Sequence, residues 1–228
     1  MSFNYSPKIV TDGLVLCLDA ANTKSYPGSG TVWTDLSKSR NNGTLTNGPT
    51  FNSSNIGSIV FDGTDDFVSS ANITATSQIS VEAWVYANSV GSYNGIVTQY
   101  STGNPSTSSW ILETLGSNAY FFIANGSNLY SGLISFSTGM WTHLVGVYNG
   151  NLITIYKNGV AGTSTSITTS INVSTRKVNI GALYSSSGIE GGDGRWNGRI
   201  ASVKIYSKGL TSQEVLQNYN TTKSRFGL

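Results

Sequence analysis

The chain has 228 residues, a formal net charge of +2 and only 11% charged side chains. Basic groups this few and this scattered leave no electrostatic footprint for nucleic acid, and no apolar run is long enough to form a membrane-spanning helix. A single cysteine excludes an intrachain disulfide, while 5 Trp and 12 Tyr supply ample material for a core, so a chain of this length needs no covalent staples.

Met1 to Lys8 lacks the charged head and apolar stretch of a signal peptide. The expectation is a product made in a cytoplasm, with no export route of its own. Leu14-Val15-Leu16-Cys17-Leu18 is a continuous apolar run and reads as a central strand. Within it Cys17 reads as a small buried apolar residue rather than a reactive thiol. A long loop region follows, punctuated by Gly28, Gly30, Asn41, Asn42, Gly43, Asn47, Gly48 and Pro49.

Phe61-Asp62-Gly63-Thr64-Asp65-Asp66-Phe67-Val68 is a strand end, a tight acidic turn and a new strand start. The next strand, Ile79 to Tyr86, places Ile79, Val81, Ala83 and Val85 on one face. Ser80, Glu82, Trp84 and Tyr86 fall on the other. Trp110 to Thr114 and Ala119 to Ile123 read as strands joined by a Gly116-Ser117-Asn118 turn. Thr142 to Tyr148 and Leu152 to Lys157 flank Asn149-Gly150-Asn151, a hairpin signal. Val178 to Ala182 and Arg199 to Tyr206 supply two late strands.

One helix is expected, at the end. Thr211 with Glu214 three positions on forms a capping box, and Leu210 and Val215 sit where a hydrophobic staple packs. The helix is expected to run to about Tyr219 or Asn220 and to dock through Val215, Leu216 and Tyr219. The tail Thr222 to Leu228 reads either as a loose end or as a docking peptide for a neighbouring subunit. No interior composition shift divides the chain, so residues 1–228 read as one domain with a core over about 13–220.

In order, these motifs resemble the laminin-G-like, concanavalin A-like superfamily. The resemblance runs through Gly13-Leu14-Val15-Leu16, Leu18-Asp19-Ala20, Trp33-Thr34-Asp35-Leu36-Ser37 and Asn42-Gly43-Thr44-Leu45. It continues through the acidic turn, Val81-Glu82-Ala83-Trp84-Val85, Trp141 to Tyr148 and Ile155-Tyr156-Lys157-Asn158-Gly159. It closes on Trp196 to Ile200, Val203 to Tyr206 and Leu210 to Val215. The resemblance implies an all-β jelly-roll sandwich of antiparallel sheets, with one concave face. The opening Asn22 to Gly28 and the ending Arg225-Phe226-Gly227-Leu228 look like those of structural proteins of tailed bacteriophages.

Sugar-binding members of the family stack pyranose rings on exposed aromatics and bond their hydroxyls with Asn and Asp. The candidates here are Tyr93, Tyr100, Asn104, Trp110, Asp193 and Trp196. A core role competes with the platform role for Trp110 and Trp196, and is the expectation for Trp84 and Trp141. The family often carries one calcium. Asp62, Asp65 and Asp66 offer ligands, but Ala201 and Ser202 stand where a carboxylate is common. The expectation is therefore that Asp62 and Asp65 cap backbone amides and that no cofactor is bound.

Catalysis has thin support. Glycoside hydrolysis needs two flanking carboxylates. The Glu-x-Asp-x-Glu strand of the related laminarinases is absent, Glu82 stands alone, and His143 reads as structural. The resulting expectation is a non-enzymatic virion structural protein, a capsid decoration or a tail or fibre component. It would contact other virion proteins and copies of itself, with a trimer ahead of other states, and it has glycan-binding capacity towards bacterial surface polysaccharide. The alternative is a free carbohydrate-binding module or lectin.

Overall fold

The computed structural model describes residues 8–228. Residues 1–7, most of the segment read above for a signal peptide, lie outside the described residues. In chain order the strands are β1 (Leu14–Asp19), β2 (Val32–Trp33), β3 (Gly43–Thr46), β4 (Thr50–Asn52), β5 (Ser58–Asp62), β6 (Phe67–Ser69), β7 (Ile79–Ser89) and β8 (Asn94–Gln99). They continue as β9 (Trp110–Leu115), β10 (Asn118–Ala124), β11 (Leu129–Ser135), β12 (Trp141–Tyr148), β13 (Leu152–Lys157), β14 (Val160–Ser166), β15 (Asn179–Ile180) and β16 (Asn197–Tyr206). One α-helix, α1 (Ser212–Thr222), follows.

The strands form two antiparallel sheets packed face to face, the jelly-roll sandwich that the motif order implies. The first sheet runs β14-β13-β12-β7-β16-β5-β4, with β1 also on β16; the second runs β11-β10-β9-β8-β15-β6-β3-β2. The inward row of β7 (Ile79, Val81, Ala83, Val85) is fully buried in the main core with Trp110, Leu112, Phe121 and Trp196. The sheets approach closely at Gly146 of β12, where a Cβ would come within 2.1 Å of the Phe121 ring. Only glycine lets that ring fill the space.

Strand β1 is buried but not central. It pairs on one side only, Leu16 with Ile205 and Leu18 with Val203. Its free edge is closed by a loop, where Cys17 N–H donates to Asp35 Oδ1 at 2.8 Å and Leu36 N–H donates to the Cys17 carbonyl at 2.9 Å. The apolar run is continuous because both faces are covered, which sequence alone cannot separate from a central strand. Burial pushes the Cys17 thiol up to about 11, in keeping with an inert core residue.

At one end of the sandwich the two edge strands cover each other. The Thr163 hydroxyl of β14 accepts from Leu133 N–H of β11 at 2.8 Å and donates to the Leu133 carbonyl at 2.9 Å. Thr165 donates to the Ser131 carbonyl at 2.6 Å. Exposed strand edges invite pairing with another chain. Here the fold supplies its own cover, so this edge needs no neighbouring copy.

The helix begins as its sequence predicts. Thr211 Oγ1 accepts from Glu214 N–H, the Glu214 carboxylate accepts from Thr211 N–H at 2.9 Å, and Leu210 and Val215 pack in one cluster. It runs to Thr222, slightly further than expected, and it docks through Val215, Asn218 and Tyr219, whose ring stacks on Trp84 with centroids 5.9 Å apart, while Leu216 is exposed. The tail is neither a loose end nor a free docking peptide. Lys223–Phe226 form a 3₁₀ turn, and the Phe226 ring stacks on Trp84 with centroids 4.0 Å apart and leans on Trp141 at 4.8 Å. Arg225 binds Asp19 at 2.7 Å and the carbonyls of Asn55 and Gly57.

Candidate functional site

The outward faces of the two sheets differ. Over the first sheet, the outward row of β7 is roofed by α1 and the tail. Glu82 is only 1% exposed. Its carboxylate accepts from Lys204 Nζ at 2.7 Å and from Asn218 Nδ2 at 2.6 Å, and His143 Nε2 lies 3.2 Å away. Tyr206 Oη accepts from the same Asn218 amide group at 2.9 Å. Glu82 therefore does not stand alone. Burial opposes its ionisation, but the Lys204 charge and the His143 contact overcome this and hold the carboxyl well below its ordinary range. Lys204 is likewise held charged: burial works against it and Glu82 prevails. This cluster is sealed from substrate and holds the roof in place.

The second sheet carries an open pocket. In β9 the alternation turns Trp110 and Leu112 inward and leaves Ile111, Glu113 and Leu115 outward. In β10 Ala119, Phe121 and Ile123 point in, while Tyr120 and Phe122 stack outward with centroids 5.3 Å apart. Tyr100, Ile111 and Leu183 form an apolar floor with Phe122. Tyr93, 54% exposed, lines with them a cavity of about 390 Å³ that Thr102, Glu113 and Leu129 also border. Gly95 of β8 pairs directly with Glu113. A Cβ at Gly95 would sit 2.8 Å from the Ala182 carbonyl oxygen, so the chain keeps no side chain there.

The sequence-derived candidates divide. Tyr93 and Tyr100 line the pocket. Asp193 backs it: its carboxylate accepts from the Thr102 hydroxyl at 2.8 Å and its backbone bridges to Leu183. Asn104 lies in the neighbouring loop but turns to Ser106, which donates to it at 2.7 Å. Trp110 and Trp196 are corrected: both are fully buried. Trp110 belongs to the inward row of β9, and Trp196 packs edge-on against Phe136. An indole inside the core has no free face for a sugar.

Glu113 is the residue that the sequence reading missed. It is 3% exposed, and among the described residues no hydrogen bond or ion pair reaches its carboxylate. Burial alone pushes its carboxyl up to about 7. The signal was present as a charged residue at the outward register of an otherwise apolar strand. A second cavity, of about 550 Å³, lies over β3 and β6 and is lined by Arg40, Asn42, Thr44, Lys177 and Glu190. Its carboxylate is already engaged, since Glu190 accepts from the Ser69 hydroxyl at 2.5 Å.

The acidic turn brings single carboxylate oxygens of Asp62, Asp65 and Asp66 within 4.8 Å of one another. Capping falls to Asp62 and Asp66, not to Asp65. Asp62 accepts from Thr64 N–H at 2.6 Å, and Asp66 accepts from Asp62 N–H at 3.0 Å. Two of these oxygens are thus engaged, and Ala201 and Ser202 lie further along β16, away from the turn, where Asn197 is the residue paired with Asp62.

A family model described as the concanavalin A-like lectin/glucanases superfamily matches residues 62–216. No curated protein is significantly similar to the chain in sequence. In fold, the chain is similar to domain 4 of AbnA, a GH43 extracellular arabinanase from Geobacillus stearothermophilus, solved in complex with arabinotriose. Identity is 17%, TM-score 0.69, and the match covers 92% of this chain and 100% of that one. It is also similar to the binding domain of botulinum neurotoxin DC in complex with SialylT, at 14% identity and TM-score 0.71 over 93% of this chain and 52% of that one. The binding domain of Paraclostridial Mosquitocidal Protein 1 matches at 14% identity and TM-score 0.68, over 92% of this chain and 52% of that one. The chain thus spans the whole arabinanase domain and about half of each toxin binding domain.

Proposed function

The chain belongs to the concanavalin A-like lectin/glucanase superfamily, and from that premise we propose that it is a non-enzymatic glycan-binding module whose site is the Tyr93 pocket. The observation that carries this reading is the pocket itself, an exposed tyrosine over an apolar aromatic floor with one carboxylate. A flat ring covers the apolar face of a sugar, and a few placed polar groups set its orientation. Two fold neighbours, the arabinanase domain in complex with arabinotriose and the neurotoxin domain in complex with SialylT, support the class of ligand. The pocket lining holds one carboxylate, Glu113, where hydrolysis needs two.

The test is a glycan array followed by titration calorimetry on the best hit. Tyr93→Ala, at an exposed position, is expected to weaken binding at least about tenfold, the loss of one stacking contact. A wild-type chain that binds no glycan, or a variant that binds unchanged, overturns the site. Release of reducing ends that is abolished by Glu113→Gln overturns the non-enzymatic assignment.

The setting we propose is a virion of a tailed bacteriophage, with the chain as a repeated subunit and a trimer as its oligomer. The resemblance of Asn22 to Gly28 and Arg225 to Leu228 supports it, as does a surface short of charge, which lowers the desolvation required for packing. A purified chain that stays monomeric at high concentration and is absent from particles sinks this setting and leaves a free lectin.

A further inference from the structure

Taking the Tyr93 pocket as a glycan site, we propose that its preferred ligand is a saccharide carrying a fixed positive charge, an ammonium substituent seated on Glu113 between aromatic rings. The inference deepens the glycan-binding reading and rests on it. Its basis is the mismatch between Glu113 and its surroundings. The carboxylate is almost wholly buried, has no partner among the described residues, and opens into a cavity whose other lining is mostly apolar. Proteins bury carboxylates beside cations or amide donors, as this chain does with Glu82. An unpartnered one facing a cavity is a recognition group awaiting its counterpart.

A neutral sugar ring presents many hydroxyls, and the pocket offers few groups to meet them. The Thr102 hydroxyl donates to Asp193, and Tyr100 Oη accepts from Gly103 N–H, which leaves the Tyr100 O–H as a donor. An ammonium group needs a single anion and electron-rich faces. Glu113 supplies the first; Tyr93, Tyr100 and Phe122 supply the second. The titratable neighbours are Tyr93 and Tyr100 on the β8 side, Tyr120 opposite Glu113 on β10, and the Asp193 carboxylate behind Thr102. No Lys or Arg lines the pocket to compete for the charge. Because the Glu113 carboxyl is raised to about 7, the site carries its full negative charge only above neutral pH.

The experiment compares N-trimethylated chito-oligosaccharides, whose charge does not titrate, with N-acetylated ones of equal length, with neutral arabino-oligosaccharides, and with choline alone. Binding is measured by calorimetry at pH 6 and pH 8. The expected result is a preference for the trimethylated sugar of at least about tenfold at pH 8. That preference should shrink several-fold at pH 6 and vanish in Glu113→Gln, whose thermal midpoint at pH 8 should be no lower than that of the unaltered chain. Equal binding of charged and neutral sugars, insensitive to pH and to Glu113→Gln, overturns the ammonium assignment and leaves the glycan site standing. Choline binding as tightly as the trimethylated sugar shows that the saccharide contributes nothing and overturns the proposal. Failure of every saccharide overturns both readings.

Discussion

Two glutamates occupy outward positions on interior strands, one in each sheet, and the chain treats them oppositely. Glu82 of β7 lies under α1, neutralised by Lys204 and bonded by Asn218. Glu113 of β9 lies under open space, flanked by rings and by a glycine. Both have lost water, and only one has been given partners in exchange. An internally compensated charge adds specificity to the fold. An uncompensated one stores unfavourable desolvation that a ligand can relieve. The difference separates a face used to close the domain from a face used to meet something else.

The largest effect is expected from breaking the compensated side. Lys204→Met leaves Glu82 buried without its cation and should destabilise the protein by about 3–5 kcal/mol in urea unfolding. Glu82→Gln in the same chain should restore much of that loss. A cost within about 0.5 kcal/mol, the range of an ordinary surface change, would mean that the roof is mobile and the contrast false. Phe226→Ala removes the ring that rests on Trp84 and Trp141. A loss of about 3 kcal/mol is expected from the cavity, read as a lower thermal midpoint.

Acid and base sharpen the comparison, because the two carboxyls respond in opposite senses. The folded-state value of Glu82 lies below its ordinary 4.5, so the stability it contributes is full above that value and is lost as the pH falls through the folded one. For Glu113 the folded value is raised from 4.5 to about 7. Between those points the unfolded chain has already released its proton while the native one holds it, so stability falls as pH rises from 4.5 to 7. Glu113→Gln should therefore stabilise the protein by about 2–3 kcal/mol at pH 8 and be nearly neutral at pH 4. A flat difference across pH, seen in denaturation midpoints, would show that Glu113 has a partner after all. The smallest effect concerns the entry to the roof: Thr211→Ala should cost about 1 kcal/mol by removing the helix cap, with no change in glycan affinity.

The fold was legible because its signals are local. Alternation in Ile79 to Tyr86, the Asn149-Gly150-Asn151 turn and the capping box at Thr211 each fix an element within a few residues. Part of the candidate site was legible for the same reason, since Tyr93 lies in a turn-rich segment and is exposed, while Tyr100, next to the turn after β8, is buried in the pocket floor. What stayed hidden depends on distant partners. The face of β7 opposite the core was expected to carry Glu82 outward, but α1 and Phe226 cover it, which makes Glu82 interior; Trp84 and Trp141 are buried as expected, in a cluster apart from the main core. Trp196 sits beside glycines and charges that read as loop, yet it packs into the main core because the sheets meet there. Glu113 was passed over because a lone carboxylate acquires meaning only when the absence of its partners can be seen.

One pairing has a consequence in time rather than in energy. The only strand that β1 pairs with among the described residues is β16, so an early strand of the sandwich finds its partner among the last to leave the ribosome. At about 5–20 residues per second, Leu16 and Leu18 wait roughly 10–40 seconds for Ile205 and Val203 to be made. Through that interval an apolar ribbon hangs without its neighbour. The newborn chain therefore passes through a stage at which a chaperone, or a sister chain on the same message, can reach β1 before β16 does.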